Sequence, residues 1–178
     1  FAGEFSHIPV FKDNQKICSC GKTGCLETET SLLVIAEKAV EGLKKGKISI
    51  LKNLSLEHVE HTYKTIMDAA AKGDKFAVEL LSEAGYNIER GVAILIHLLN
   101  PELIILSGRG SVAGKIWLAP IQQAINEHCI PKISENTEVK ISSLGYDAEL
   151  IGAAALVMEH YDTLDFTQHK NRKTKQPA

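Results

Sequence analysis

Apolar residues along this 178-residue chain recur at two different periods, and the alternation between them predicts the architecture. A helical spacing opens after Leu26 (Leu32, Ile35, Ala36, Ala39, Leu43) and stops at Lys44-Lys45-Gly46, where cations complement a helix C-terminus. Ser55 reads as the N-cap of a second helix, running to about Ala71 and closed by Gly73. The longest stripe runs from Lys75 to Leu99 and ends at Asn100-Pro101, because proline forces the residue before it into extended geometry. Gly85 and Gly91 inside it each cost about 1 kcal/mol against alanine, so they predict close packing against a neighbour.

Leu103-Ile-Ile-Leu106 is a short, wholly apolar run, the pattern of a strand buried on both faces. A helix over Ala113 to Cys129, a strand over Glu138 to Ser142 and a helix over Ala148 to Tyr161 follow, the last with Asp147 as its N-cap and packed against the sheet. Early alternation over residues 4 to 11 suggests one more strand. Helices alternating with short buried strands mean an α/β fold. The polar tail, 162–178, is expected to be disordered, which leaves 1–161 as the folded unit.

Charge narrows the class. A net charge of −2 and a pI near 6.4 give no basic face for nucleic acid, so any DNA contact would belong to another domain. No apolar run reaches the roughly 18 residues of a membrane span and no signal peptide opens the chain, so the cytoplasm is the expected compartment. The chain opens on Phe1 and runs at once into dense motif chemistry, as the second part of a longer polypeptide would. The stripe from Phe76 to Leu99 is more apolar than one small unit needs, and a homo-oligomer is expected on that ground.

The candidate chemistry is concentrated near the N-terminus. Cys18, Cys20 and Cys25 form a Cys-x-Cys-x4-Cys cluster with His7 upstream, the ligand set of a closed tetrahedral zinc site. Two disulfides are the alternative for four cysteines, but Cys18 and Cys20 are too close for an unstrained bridge and Cys129 lies in a distant helical pattern. Glu4 and Glu27 flank the cluster and could gather at the imidazole face not used by the metal, to hold vicinal hydroxyls; on the residues alone, solvated surface acids are the more ordinary reading. Gly108 and Gly110, between a buried strand and a helix, could leave N–H groups open to a phosphate, although glycine at such a turn more often serves tight packing.

Gly3-Glu4-Phe5-Ser6-His7, then Cys18-Ser-Cys20-Gly21-Lys-Thr-Gly24-Cys25-Leu26-Glu27 with Ser31, then Pro101-Glu-Leu-Ile-Ile-Leu-Ser-Gly108, then Gly152-Ala-Ala-Ala, in this order, resemble the ROK family. That family groups bacterial sugar kinases with sugar-responsive transcriptional repressors. The resemblance implies the second lobe of an actin-like, ribonuclease H-like ATPase fold. It implies structural zinc (Zn2+) on His7, Cys18, Cys20 and Cys25, and a sugar held by Glu4, His7 and Glu27, with His7 offering one ring nitrogen to each.

Three departures from the family pattern bear on function. The interval from His7 to Cys18 is one residue long, so the loop should bulge; Ser6 replaces a glycine; and Ser107-Gly108-Arg109-Gly110 interrupts a glycine-rich run of the kinases, which argues against ATP. The catalytic aspartate and phosphate loops of a kinase would lie in the first lobe, so this stretch should be catalytically silent by itself. The resemblance therefore implies, first, a sugar-sensing regulator whose N-terminal helix-turn-helix lies outside this chain, and, as the alternative, a glucokinase-like sugar kinase.

Overall fold

The computed structural model describes residues 3–161, and the tail expected to be disordered lies outside them. Seven helices and two strands are assigned among these residues: α1 (Glu27–Thr30), α2 (Leu32–Lys44), α3 (Val59–Ala71), α4 (Lys75–Leu99), β1 (Leu103–Leu106), α5 (Lys115–His128), α6 (Pro131–Ser134), β2 (Glu138–Ile141) and α7 (Ala148–Glu159).

α4 is the spine. Asp74 caps it by accepting from the backbone N–H of Ala77 at 2.9 Å, while Asn100 closes it in the left-handed region at φ 44°. Phe76, Leu80, Leu81, Ala84, Val92 and Ile96 are buried along one stripe, against α2, α3 and above all α5. The stripe is thus largely consumed inside the chain, and the argument for an oligomer drawn from it falls away. Both helix glycines sit at close approaches, as their cost predicts. A Cβ on Gly85 would stand 3.2 Å from the Trp117 backbone, and one on Gly91 would meet Phe5 and Leu26 at 2.8 Å.

β1 and β2 pair in parallel, with Leu103 opposite Glu138 and Leu106 opposite Ile141. Burial on both faces of β1 does not hold. Ile104 is buried, but Leu103 and Ile105 are 43% and 58% exposed, because the sheet has two strands and the helical core covers one face.

Four other expectations are corrected. Residues 4 to 11 are not a strand: Phe5–His7 make a 3-10 turn, and only Pro9 bridges onward, to Cys25. The helix after Leu26 is two helices, because Ser31 adopts extended geometry (ψ 154°) and restarts the chain by accepting from the N–H of Val34. Ser55 does not cap α3. Its hydroxyl accepts from Glu57 N–H, and Thr62 locks its backbone by donating to Ser55 O at 2.7 Å and accepting from its N–H at 3.1 Å. Finally, α7 has no buried residue and is exposed from Glu149 onward instead of packed on the sheet, and Asp147 makes no side-chain capping bond. α5 begins at Lys115 because a 3-10 turn over Arg109–Ala113 and Gly114 at φ 51° intervene. No helix among the described residues is long and apolar enough to cross a membrane.

Candidate metal and sugar centre

The N-terminal loop is folded by its own backbone before any side chain converges. Val10 and Phe11 donate to Gly24 O at 2.8 and 3.0 Å, Leu26 donates to Ile8 O at 3.0 Å, and Cys18 donates to Lys22 O at 2.7 Å. Gly24, at φ 73°, admits no side chain, since a Cβ would overlap the Phe11 carbonyl. Phe5 and Leu26 press on α4 at Gly91, which anchors both ends of the loop on the spine.

This backbone brings together the four residues that the spacing predicts. One ligand atom from each of His7, Cys18, Cys20 and Cys25 lies within 4.8 Å of the others, and all the cysteines are free thiols. His7 Nδ1 is 3.3 Å from Cys18 Sγ, and Cys20 Sγ is 3.6 Å from Cys25 Sγ. In a tetrahedron with metal–sulfur bonds of about 2.3 Å, neighbouring sulfurs stand about 3.8 Å apart; the two closest pairs are at that scale, and the four ligand atoms, all within 4.8 Å, form a group that could hold a metal ion. Cys18 and Cys25 are buried and Cys20 is exposed. Burial, then the crowding of its fellow thiols, pushes Cys25 up to about 12, whereas the backbone N–H of Lys22 lowers Cys20. His7 is raised, chiefly by its hydrogen bond with Cys18. Thiols this close together hold protons against one another, and a divalent cation relieves that by taking them as thiolates.

The two carboxylates lie on opposite edges of the imidazole. Glu4 Oε2 is 3.7 Å from Nε2, the ring nitrogen facing away from the sulfurs. Glu27 Oε2 is 3.4 Å from Nδ1 and accepts from Cys18 Sγ at 3.1 Å and Ser19 Oγ at 3.2 Å. Only Glu4 therefore occupies the expected face; Glu27 stands at the sulfur edge.

Residues that the sequence pattern did not mark hold the loop from behind. Asn14 Nδ2 donates to Thr28 Oγ1 at 3.1 Å and to Glu29 Oε1 at 2.6 Å, and Thr28 Oγ1 donates to Cys25 O at 2.7 Å. Arg90 of α4 stacks on Phe11 at 4.9 Å. The available signal was Asn14 within the Lys-Asp-Asn-Gln-Lys turn, whose partners only become visible once the loop closes.

Gly108 and Gly110 lie at the β1–α5 turn. Gly108 has φ 79°, its carbonyl accepts from Ser111 Oγ at 2.7 Å, and a Cβ on Gly110 would overlap the Trp117 ring. Tyr63 donates to Gly110 O at 3.2 Å, and Arg109 forms an ion pair with Glu60 beside a groove that Leu32, Val59 and His61 also line. Close packing against Trp117 accounts for Gly110, and the left-handed backbone at φ 79° accounts for Gly108.

This loop, spine and turn fall within one family. A model of the ROK family matches residues 1–160, and the chain belongs to the ROK family. Over 167 residues it is 36% identical to a glucokinase from Halalkalibacterium halodurans, covering 92% of this chain and 50% of that protein. Over 155 residues it is 36% identical to the DNA-binding transcriptional dual regulator NagC of Escherichia coli K12, covering 87% of this chain and 36% of the regulator. A crystal structure of a ROK family glucokinase from Streptomyces griseus, in complex with glucose and AMPPNP, superposes with a TM-score of 0.74 at 29% identity, over 89% of this chain and 52% of that one. The chain spans about half the length of the glucokinases it matches.

Proposed function

We propose that this chain is the zinc-stabilised sugar-recognition lobe, with an actin-like fold, of a sugar-responsive ROK transcriptional regulator. The observation that carries the reading is the convergence of His7, Cys18, Cys20 and Cys25 at cage spacing, with a carboxylate at each edge of the imidazole. In this reading the four residues hold zinc, which supplies cross-linking free energy to a loop with little apolar material of its own. Nδ1, beside the thiols, would be the metal-facing nitrogen of His7, which leaves Nε2 and Glu4 to the hydroxyls of a sugar. Glu27 would reach the sugar with a carboxylate oxygen, its hydrogen bond from the Cys18 thiol given up when that sulfur binds metal as a thiolate.

A regulator of this kind works by unequal affinity. Sugar binding between lobes favours one interlobe angle, and that angle sets the spacing of helix-turn-helix units in a dimer. The Arg109–Glu60 pair at the position of the kinases' glycine run supports a regulator over a phosphotransferase. A sugar kinase is the second reading, favoured by the likeness to glucokinases in sequence and structure.

Calorimetry on the full-length polypeptide separates them. Glucose, N-acetylglucosamine and xylose are titrated first, and a non-hydrolysable ATP analogue next. The expected result is binding of one sugar and no heat from the nucleotide. Micromolar nucleotide binding would establish the kinase reading, and an upstream sequence opening on an Asp-x-Gly-x-Thr phosphate loop would do the same. A helix-turn-helix pattern upstream supports the regulator.

A further inference from the structure

Two sulfurs of the N-terminal cluster differ in anchoring and in access. Cys25 is fully buried and pinned. It bridges Pro9, its carbonyl accepts from the Thr28 N–H at 3.0 Å and from Thr28 Oγ1 at 2.7 Å, and its thiol donates to His7 O at 3.4 Å. Gly24 before it is wedged against the Phe11 carbonyl. Cys20, by contrast, stands exposed at the tip of a turn closed by the Ile17–Thr23 bridge. Gly21 beside it has no atom within 4 Å of where a Cβ would stand, so the tip has room to shift while the base of the loop stays fixed.

The Cys20 and Cys25 sulfurs are 3.6 Å apart. A disulfide holds them at about 2.05 Å, so a displacement of about 1.5 Å at the tip joins the pair. The other thiols are worse partners. Cys18 is one residue from Cys20, too close for an unstrained bridge, and its sulfur engages His7 Nδ1 at 3.3 Å and Glu27 Oε2 at 3.1 Å. Cys129 is buried in the helical core beside Glu89.

We infer that Cys20 and Cys25 form an oxidative modification site, at which a peroxide-class oxidant converts the pair to a disulfide and a dithiol reductant restores it. Access assigns the order of steps. The exposed Cys20 sulfur attacks the peroxide: an S–O bond forms, the O–O bond breaks, and the departing oxygen takes up the thiol proton and leaves as water. The Cys25 sulfur then attacks the Cys20 sulfenic acid, forming the S–S bond and expelling its oxygen as a second water with the Cys25 proton. Two thiols lose two electrons and one peroxide gains them. Where the sulfurs start as thiolates, solvent supplies the two protons. The bridge removes two of the four candidate ligands, and His7 with Cys18 is too small a set for a closed tetrahedral site. This consequence rests on the reading of the cluster as a zinc site, and it makes metal retention, with sugar binding through His7, sensitive to oxidant.

The test treats the reduced, zinc-loaded full-length polypeptide with a small excess of hydrogen peroxide, alkylates the remaining thiols and maps the tryptic peptides. The expected product joins residues 17–22 to residues 23–38 through Cys20 and Cys25, with Cys18 and Cys129 alkylated. Zinc bound per chain should fall from one toward zero as the bridge forms, and both changes should reverse on reduction with dithiothreitol and resupply of zinc. A Cys18–Cys25 bridge, a link to Cys129, sulfinic or sulfonic acid on Cys20 with Cys25 still alkylated, or two unmodified thiols would overturn the inference. Zinc is counted before the oxidant is added. A chain that never holds zinc yet forms the bridge contradicts the proposed function and supports the modification site, whereas a zinc-loaded chain that forms no bridge contradicts the modification site alone.

Discussion

His7 Nδ1 stands 3.3 Å from Cys18 Sγ although eleven residues separate the two in the chain. That one contact orients the imidazole. Nδ1 is committed to the sulfur cluster, and Nε2 is turned toward Glu4. A ring held in this way is asymmetric; on the proposed function it has a metal edge and a hydroxyl-binding edge, and the asymmetry makes those two proposed functions separable by mutation.

The metal comes first. Cys20→Ser removes an exposed sulfur whose loss leaves the helical core untouched. Metal bound per chain, measured by plasma mass spectrometry after dialysis, should fall from one toward zero, with affinity reduced by more than ~100-fold, beyond the loss typical of an outer-layer partner. Chelation of the unmutated protein should lower its melting temperature. An unchanged melt with metal fully removed would contradict a structural role for the ion.

The carboxylates come next. Glu4→Gln should weaken sugar binding at least ~10-fold, equivalent to about 1.4 kcal/mol, and leave metal content unchanged. Glu27→Ala should weaken the sugar at least as much. Its proximity to Cys18 sharpens the test, because metal loss in that variant would show that the acid serves the sulfur cluster instead.

Asp74 governs a pH dependence remote from the loop. Burial disfavours its charge, but the N–H groups of Ala77 and Ile50 and the hydroxyl of Ser49 outweigh that and hold its carboxyl below the usual range. A folded-state value below the unfolded one adds stability above the unfolded value, near 4, and that stability disappears as pH falls through the folded value. Asp74→Ala should therefore cost about 2 kcal/mol at pH 7 by denaturant titration. The gap between variant and parent should narrow below pH ~4. A gap constant down to pH ~2 would refute the assignment.

Glu89 tests the α4–α5 contact. Its side chain is fully buried, with Oε2 2.9 Å from His128 Nδ1 and Oε1 near the Cys129 thiol. His128→Ala leaves a buried acid without its ring partner and should cost about 3 kcal/mol. The double variant Glu89→Leu with His128→Ala should recover most of that, because an apolar side chain needs no partner there. Equal destabilisation of single and double variants would show that the ring acts by packing alone.

Local signals made much of this protein legible in its sequence. α4 announces its C-terminal end through Asn100-Pro101, β1 and β2 are short runs between breakers, and the cysteine spacing marks the cluster that the fold gathers around His7 as a candidate metal site. Capping, proline restriction and ligand spacing act within a few residues, so a linear reading captures them. Tertiary structure decided the rest. Ser55, read as a cap, does not cap a helix, because Thr62 reaches back and binds its backbone, whereas Ser31, which the pattern did not mark as a cap, accepts from the N–H of Val34 and starts α2. Glu27 sits at the sulfur edge and Glu4 opposite because the loop is pinned through Phe5 and Leu26 onto Gly91, about sixty residues away or more. Which edge of a ring an acid faces depends on where two distant segments are clamped, and a pattern of residue types along one segment carries no record of that clamp.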